Sequence, residues 1–495
     1  MPGALKRGKI PPAPLARQLK QNITWFRYSF GPRAMGFSPG DPISGEIAMF
    51  PDLQSRSALM FERAKLALPG GNSRHSLAVS PYPIYAASGS GCRVRDIDGS
   101  EYVDCINNMS ANIHGHRHPA ILAAVDRQMD RLISVGLPTE VEVELAETLC
   151  ARVDSVERVR FANTGTEALM FAARAARAFT GRNKVAKIEG GYHGSYDALD
   201  VSNRPSPDAW GHAETPNVVR ESGGFTDGSV ADTIILPVNN LDATRRLIAR
   251  HGDDLAAVVV DPLVSRMGFL KVDQAYLDML REETQRRGIV LIFDEVFSFR
   301  IGLQGAQGEV GIRPDLSTFG KVIGGGFPIG AVGGKAEIMQ MFSHLPKGRP
   351  IVEHSGTFNA NPVSMAAGKA ALDLFDAAAV SRLAGLGDRL REGLTRTLAD
   401  MGLAWRVQGY GSLATVLPFQ EAARDYRAFH GAMAAANAGS TMAAFHRGMV
   451  NRGILPTFPA AFILSTAMDE AVIDSIVEAA RESLGDIRNG SAQAA

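Results

Sequence analysis

The stretch that decides the fold runs from Ile289 to Gly334 and reads IVLIFDEVFSFRIGLQGAQGEVGIRPDLSTFGKVIGGGFPIGAVGG. It opens with an unbroken apolar run, Ile289–Phe293, which is typical of a strand in a parallel sheet that is covered on both faces. Asp294 and Glu295 follow this run directly. Because open α/β sheets bind ligands at the carboxyl ends of their strands, we expect one of these acids to be a site residue.

The same stretch contains a lysine beside a glycine loop. Lys321 lies between a short apolar segment, Leu316–Phe319, and the run Gly324–Gly326. Glycines let the backbone approach a ligand closely. A lysine and an acid in such places match the needs of pyridoxal phosphate, because the lysine forms a Schiff base with its aldehyde and a carboxylate keeps its ring nitrogen protonated. The sequence therefore predicts this cofactor, with Lys321 and Asp294 as catalytic residues.

Other interpretations of these two residues are open at this point. A lysine beside glycine is most often an exposed surface residue. Asp294 could cap a helix or form an ion pair instead of holding a cofactor. A nucleotide P-loop around Lys321 is disfavoured, because Val322 stands where a Ser or Thr is required and the upstream glycine spacing differs.

Taken together, the motifs resemble the class III pyridoxal-phosphate-dependent aminotransferases of fold type I. This family includes β-amino-acid aminotransferases and glutamate-1-semialdehyde 2,1-aminomutase. The resemblance is carried by Asp294-Glu295-Val296, Pro314-Asp315-Leu316, Gly320-Lys321 and the glycine loop. It implies an α/β fold in which a large domain with a mostly parallel central sheet is joined by a smaller αβ domain.

The chain of 495 residues is long enough for two or three domains. Its first fifty residues are basic and contain no acid before Asp41. We expect a basic N-terminal extension over residues 1–50 and an N-terminal segment of the small domain over 51–135. The large cofactor-binding domain is expected over 136–375 and the C-terminal small domain over 376–495.

Composition excludes several classes of protein. Lys plus Arg equals Asp plus Glu, 52 against 52, so no nucleic-acid or anionic-membrane partner is indicated. Three cysteines without metal-like spacing are typical of a reducing compartment, and we expect a cytoplasmic location. No apolar run approaches the roughly 18 residues that span a bilayer. The histidines of Gly115–Pro119 lack further ligands, so no metal site is predicted.

A predicted strand and a predicted helix meet at Asn163–Glu167, which reads NTGTE. The free N–H groups and the dipole of a helix start attract an anion, and the hydroxyls of Thr164 and Thr166 add donors. A plain helix cap by Thr164 is the alternative. The segment resembles the family's NSGTEA motif, which implies that Thr164, Gly165 and Thr166 hold the cofactor phosphate.

The resemblance implies four further roles. Tyr192 stacks on one face of the cofactor ring, and Val296 packs on the other. Thr357 reaches the phosphate of the neighbouring subunit, which implies a homodimer with shared active sites. Arg74 clamps the substrate carboxylate, and its loop, PGGNSRHS, looks more like the β-amino-acid enzymes than the aminomutases. His193 is either an acid/base group or a loop histidine that hydrogen-bonds locally.

The predicted function is an aminotransferase that moves an amino group from a carboxylate-bearing amine, with a β-amino acid as candidate donor, to a keto acid. In this reaction Lys321 also carries a proton. The alternative is an aminomutase of the glutamate-1-semialdehyde kind, in which the transfer is intramolecular. A catalytically silent cofactor-binding protein is disfavoured by the joint presence of Lys321 and Asp294.

Overall fold

The structure is a computed structural model that describes residues 49–346 and 348–493. The predicted extension over residues 1–50 therefore lies outside the described residues, except for its last two. The described residues divide into two compact units, 49–88 with Arg95–Glu101 and Gly89–Val94 with 102–493. This division does not separate residues 136–375 from 376–495, so the boundary between the predicted large and small domains stays a prediction.

Strands and helices alternate along much of the chain. The strands are β1 (Ala86–Ser90), β2 (Arg93–Asp96), β3 (Glu101–Asp104), β4 (Arg158–Ala162), β5 (Lys184–Ile188), β6 (Gly211–His212), β7 (Thr215–Pro216), β8 (Thr233–Leu236), β9 (Leu255–Val260), β10 (Leu263–Val264), β11 (Leu270–Lys271), β12 (Val290–Asp294), β13 (Leu316–Gly320), β14 (Gly330–Gly334), β15 (Arg406–Gln408), β16 (Leu413–Leu417), β17 (Ile454–Leu455) and β18 (Ala461–Ile463). The α-helices are α1 (Arg56–Lys65), α2 (Pro119–Met129), α3 (Glu140–Arg152), α4 (Gly165–Thr180), α5 (Asp227–Ala231), α6 (Leu241–His251), α7 (Gln274–Arg287), α8 (Glu295–Ser298), α9 (Ala306–Val310), α10 (Ala336–Met339), α11 (Pro362–Leu374), α12 (Ala377–Asp400), α13 (Tyr426–Ala435), α14 (Ala438–Val450) and α15 (Glu470–Gln493).

The first unit is organised around α1 and a tight turn. Ser55 caps α1 by accepting a hydrogen bond from the Ala58 N–H at 3.1 Å. Asp98 accepts bonds from the N–H groups of Arg56 at 2.6 Å and Ser57 at 3.0 Å, so its carboxylate holds two of the free donors at the helix start. The Asp98-Gly99 pair is typical of a tight turn, and this turn is tied to α1 in this way.

The second unit is built on a seven-stranded sheet with the order β4-β14-β13-β12-β9-β5-β8. β14 is antiparallel to both of its neighbours, and the other adjacent pairs are parallel. Parallel strands need crossover connections. Helix α4 joins β4 to β5, α6 joins β8 to β9, and α7 joins the neighbours β9 and β12. The predicted α/β class with a mostly parallel central sheet is confirmed.

The side chains of the central strands alternate between the two faces of the sheet, which explains why helices cover both faces. Val258 and Leu291 pack in one buried cluster with residues of α7, such as Leu280. Their chain neighbours Val259 and Ile292 pack in another cluster with residues of α4. Because successive side chains of a strand point to opposite faces, one apolar run supplies both clusters. The carboxyl ends of these strands are left for the loops that carry the site.

The C-terminal part of the second unit is an αβ arrangement. β15, β16 and β18 form an antiparallel sheet, and α12, α14 and α15 contribute to a large apolar cluster with it. Ile454 of β17 pairs in parallel with Val103 of β3, which joins an early segment to this late one. Among the described residues, no helix combines the length and apolarity needed to cross a membrane.

Candidate active site

Asp294 is the last residue of β12 and has 5% of its surface exposed. Its carboxylate accepts three hydrogen bonds, from His193 Nδ1 at 2.8 Å, the Val296 N–H at 3.1 Å and the Thr318 hydroxyl at 3.3 Å. It therefore caps the short helix α8, as one interpretation of the sequence expected. The same donors fix the position of its side chain at the ligand-binding edge of the sheet.

His193 is completely enclosed, and its partner is not local in sequence. Burial lowers the pKa of His193, although the hydrogen bond and charge of Asp294 oppose this. The neutral ring donates from Nδ1 to Asp294, a tautomer that follows from the partner, while the buried Nε2 has no hydrogen-bond partner in the described residues. The sequence left the role of His193 open, and its contact with Asp294 was not expected.

Lys321 follows β13 directly and has a φ of 51°, which lies in the left-handed region. Such a backbone costs about 1–3 kcal/mol for a non-glycine residue and is typical of functional sites. Its Nζ lies 4.8 Å from the centroid of the Phe297 ring. Burial lowers the pKa of Lys321, while Asp294 and Asp261 oppose the shift. The neutral amine, which is the nucleophilic form, is thereby favoured.

Asp261 is a second acid at this edge of the sheet. It follows the last residue of β9, and its Oδ1 accepts the Leu263 N–H at 2.9 Å. Burial and then the charge of Asp294 raise the pKa of Asp261 well above its usual value. Its protonated form is therefore favoured, so the two neighbouring strand ends carry acids with different roles.

The turn Thr164–Thr166 opens the sixteen-residue helix α4. Thr164 caps this helix by accepting the Glu167 N–H at 3.1 Å, and Glu167 accepts the Asn163 N–H at 2.7 Å. The cap that the sequence offered as an alternative is thus present. Gly165 and Thr166 occupy the first two helical positions, where backbone N–H groups are free to bind an anion.

This turn, α8 and the lysine segment approach one another closely. A Cβ added at Gly165 would lie 2.8 Å from Val296 Cγ1, and one at Gly320 would lie 3.3 Å from the same methyl group. Gly320 immediately precedes Lys321. The structure therefore brings together Thr164–Thr166, Val296 and the lysine segment through contacts that leave little room for a side chain at either glycine. An anion-binding turn close to the lysine that an aldehyde requires fits pyridoxal phosphate.

Tyr192 stands between Gly191 and the anchored His193. Its ring is 42% exposed, and the guanidinium carbon of Arg266 lies 4.5 Å from the ring centroid. The bond from His193 to Asp294 holds the backbone next to Tyr192 at the same strand end. The ring is thus available for stacking, as the resemblance implied, and its stacking role stays a prediction.

Thr357 and Arg74 are the two remaining predicted site residues. Thr357 is exposed on the wall of a surface cleft of about 520 Å³ that also includes Val135 and Leu137. Arg74 lies in the first unit, where it precedes a 3₁₀ turn, His75–Leu77. Its role as a carboxylate clamp stays a prediction.

Sequence reasoning missed the partners of Asp294 and the Phe297 ring beneath the lysine. A signal existed for Thr318, because the ends of two adjacent parallel strands come into register, and Asp294 pairs with Thr318. His193 had no such signal, since it lies 101 positions from Asp294 along the chain. The enclosing loop had to be placed before the pair could be found.

Residues 76–479 match the family model described as Aminotransferase class-III. This range covers most of the chain, so the protein belongs to the class III aminotransferases. A curated relative is the glutamate-1-semialdehyde 2,1-aminomutase of Methanothermobacter thermautotrophicus, which is 40% identical over 438 residues. That alignment covers 88% of this chain and all of the relative.

Solved structures agree with this placement. An omega-transaminase from Sphaerobacter thermophilus is 43% identical with a TM-score of 0.85, covering 88% of this chain and 98% of the other. A transaminase with PLP bound is 41% identical with a TM-score of 0.80, covering 87% and 97%. A β-phenylalanine aminotransferase from Variovorax paradoxus is 31% identical with a TM-score of 0.76, covering 95% and 97%.

The family, the PLP-bound structure and the site, with its anion-binding turn close to the lysine segment, agree on the cofactor. The protein is an enzyme of the transaminase or aminomutase kind, and its cofactor is pyridoxal phosphate. The predicted family, fold type and cofactor are confirmed.

Proposed function

We propose that the enzyme transfers an amino group on a small, carboxylate-bearing amine, with Lys321 as the covalent anchor of the cofactor and as the proton carrier. The observation that carries this proposal is the convergence of an acid and a lysine at adjacent strand ends. Asp294 accepts three hydrogen bonds that fix its side chain, and burial lowers the pKa of Lys321.

Each cofactor-binding residue has a defined task in this proposal. The turn Thr164–Thr166 holds the phosphate, Tyr192 and Val296 flank the ring, and Asp294 faces the ring nitrogen. When bound, the cofactor supplies an electron sink for the carbon that carries the amine.

Lys321 does the proton transfer. Its neutral amine takes a proton from the amine-bearing carbon of the substrate and releases it at the carbon that is to receive it. Phe297 beneath its Nζ and the buried strand ends keep bulk water away from the amine, and this burial lowers the pKa of Lys321. Asp294 makes the proton removal easier by stabilising positive charge on the ring nitrogen.

The first candidate reaction is intramolecular, as the name of the Methanothermobacter relative implies for that enzyme. Curated relatives that carry this aminomutase name are 40% identical over 88% of the chain, for example in Methanothermobacter and in Thermomicrobium roseum. They support the aminomutase reaction more directly than the intermolecular transfer that the sequence favoured. In this reaction no second substrate is needed.

The second candidate is transfer from an amino donor, including a β-amino acid, to a keto acceptor. The Sphaerobacter omega-transaminase, at 43% identity, and the Variovorax β-phenylalanine aminotransferase support it. The loop around Arg74 supports it too, because its sequence looks more like the β-amino-acid enzymes. In both reactions Arg74 is proposed to bind the substrate carboxylate.

A homodimer with shared sites and a cytoplasmic location complete the proposal. Phe358, next to Thr357, is 61% exposed, and Leu137 in the same cleft is 73% exposed. Large exposed apolar side chains are typical of an interface, so a second copy of the chain is proposed to cover them. The cysteines are free, which fits a reducing compartment.

The test is a single-turnover absorbance measurement on the purified, cofactor-loaded protein. α- and β-Amino acids are added separately without an acceptor, and glutamate-1-semialdehyde is added to the protein in its pyridoxamine phosphate form. Isomerisation of the semialdehyde without amino-acid conversion supports the aminomutase. Conversion of the cofactor by β-amino acids supports the aminotransferase. No conversion in any arm contradicts both.

A further inference from the structure

Lys187 is a buried charge that the proposed chemistry does not use. It lies on β5 with none of its surface exposed. Its Nζ donates to three backbone carbonyls, those of Gly191 at 2.6 Å, Leu199 at 3.1 Å and Val201 at 2.7 Å, and to Asn203 Oδ1 at 2.5 Å. A neutral amine would point its lone pair at one of these oxygens, so the arrangement suits the ammonium form.

This ammonium is held without a carboxylate in direct contact. Burial lowers the pKa of Lys187 to about 7, and the charges of Glu221 and Asp200 oppose the shift. Both acids act through Asn203, whose side chain donates to Asp200 at 2.6 Å and whose N–H donates to Glu221 at 2.7 Å. Enclosing a cation in this way is costly, so the surrounding contacts have to compensate for its lost hydration.

All four oxygens belong to one segment, Gly191–Asn203. This part of the chain contains no helix or strand, and an isolated β-bridge from Val201 to Arg220 lies near its end. Three of its carbonyls instead turn inward to a single nitrogen. Because Tyr192 and His193 lie in this segment, the ammonium fixes the backbone from which both side chains project.

A separate anchor holds the residues just before this segment. Glu189 is buried and accepts bonds from Arg427 Nε at 2.9 Å and Nη2 at 3.0 Å. Lys187 and Glu189 are two positions apart on the chain and bind different partners. The path into the segment is therefore fixed by Glu189, and the path through it is fixed by Lys187.

We infer that Lys187 is a positioning residue for cofactor binding: its ammonium folds Gly191–Asn203 around itself and so sets Tyr192 and His193 at the cofactor site. This inference rests on the proposed roles of Tyr192 and His193. A purely structural lysine would not have this function. The two roles differ because the segment Gly191–Asn203 could loosen while the sheet stays folded.

The test uses Lys187→Met, which keeps most of the side-chain volume and removes the charge and the donors. The apo-protein is titrated with pyridoxamine phosphate, which binds without a covalent bond to Lys321. We expect its Kd to rise by at least tenfold and kcat of the reloaded enzyme to fall by ~10²-fold, since small displacements of positioning groups have effects of this size. The melting temperature of the apo-protein is measured in parallel.

Lys184→Met is the matched control. Lys184 lies on the same strand, but its Nζ is paired with Asp254 at 3.2 Å, and that carboxylate side chain is 68% exposed. We expect an unchanged Kd for pyridoxamine phosphate. Asn203→Leu is the second variant, which removes one of the four acceptors and serves if Lys187→Met does not fold. It is expected to raise the same Kd.

The outcomes separate the inference from the proposed site. The inference is overturned if Lys187→Met, or Asn203→Leu in its place, lowers the melting temperature but leaves the Kd unchanged. Lys187 would then be only structural. Tyr192→Leu tests the site itself. If Tyr192→Leu leaves the Kd unchanged, the proposed stacking role fails. If Tyr192→Leu raises the Kd and Lys187→Met does not, only the Lys187 inference fails.

Discussion

Replacing His193 with alanine tests whether the buried hydrogen bond to Asp294 contributes to catalysis. The substitution removes one of the three donors to the carboxylate and leaves the Val296 N–H and the Thr318 hydroxyl. A hydrogen bond to a charged group contributes about 1.5–3 kcal/mol. If that contribution is lost in the transition state, kcat falls by ~10- to 150-fold.

The expected pH dependence follows from the state of the imidazole. Burial lowers the pKa of His193, so near neutral pH the variant loses a neutral donor and not a positive charge. With one donor fewer, the Asp294 carboxylate is held less firmly in position. Because the lost donor is neutral, the fall in kcat should be of similar size across the neutral pH range.

The assay is kcat as a function of pH, together with the Kd of pyridoxamine phosphate for the apo-protein. His193→Asn is the conservative variant, because its side-chain amide can replace the Nδ1 donor and restore part of the activity. His251→Ala, at the end of helix α6, is the control that should change neither quantity.

A His193→Ala enzyme whose kcat stays within twofold of the wild type across the neutral pH range would refute this reasoning. A loss of kcat that His193→Asn does not reverse would point to general disruption of the loop. A loss of kcat that His193→Asn partly reverses is the result that supports the hydrogen bond.

Four further changes have defined outcomes. Lys321→Ala should abolish turnover and covalent cofactor attachment, measured by borohydride trapping, while pyridoxamine phosphate still binds. Gly165→Val should weaken pyridoxal phosphate binding by tenfold or more in a titration. Even the Cβ at this position would lie 2.8 Å from Val296 Cγ1, so a branched side chain would clash with Val296 and distort the turn. Arg74→Ala should raise the KM of a carboxylate-bearing donor about tenfold with little change in kcat, because an ionic hydrogen bond is lost; an unchanged KM would exclude the clamp. Burial would raise the pKa of Asp315, but bonds and charges from a neighbouring lysine and arginine outweigh it and lower that pKa. The stabilisation from Asp315 is therefore present above its usual pKa and is lost as pH falls through its lowered one, so Asp315→Asn should reduce the melting temperature at pH 7 but not in strong acid.

The central sheet could be predicted because its signal is local. The run at β12 and the run at β9 are apolar throughout, and an acid closes each one. Strand-end acids and the glycine-flanked Lys321 mark the ligand edge of any sheet of this kind. These features depend on residue order alone, which is why the fold and the cofactor followed from them.

Helix α13 was not predicted, although its cap carried a signal. Asp425 accepts the Ala428 N–H at 2.8 Å, as an N-terminal cap should. The helix that follows has four alanines and one glycine in ten residues, so its composition also favoured a helix. Its Arg427 binds the buried Glu189, a contact 238 positions away that the sequence could not indicate.

Lys187 and Lys321 illustrate what sequence cannot decide. Lys187 lies on a buried strand and Lys321 directly follows one, and burial lowers the pKa of both. The Nζ of Lys187 is surrounded by four oxygens, which hold it in place. The Nζ of Lys321 lies over the Phe297 ring on a strained backbone at the ligand edge of the sheet. The difference between a structural cation and a nucleophile is set by the oxygens that the fold brings to each nitrogen. Arginine at position 187 would keep the charge, but its planar guanidinium does not match four oxygens arranged around one nitrogen, so Lys187→Arg should bind cofactor no better than Lys187→Met.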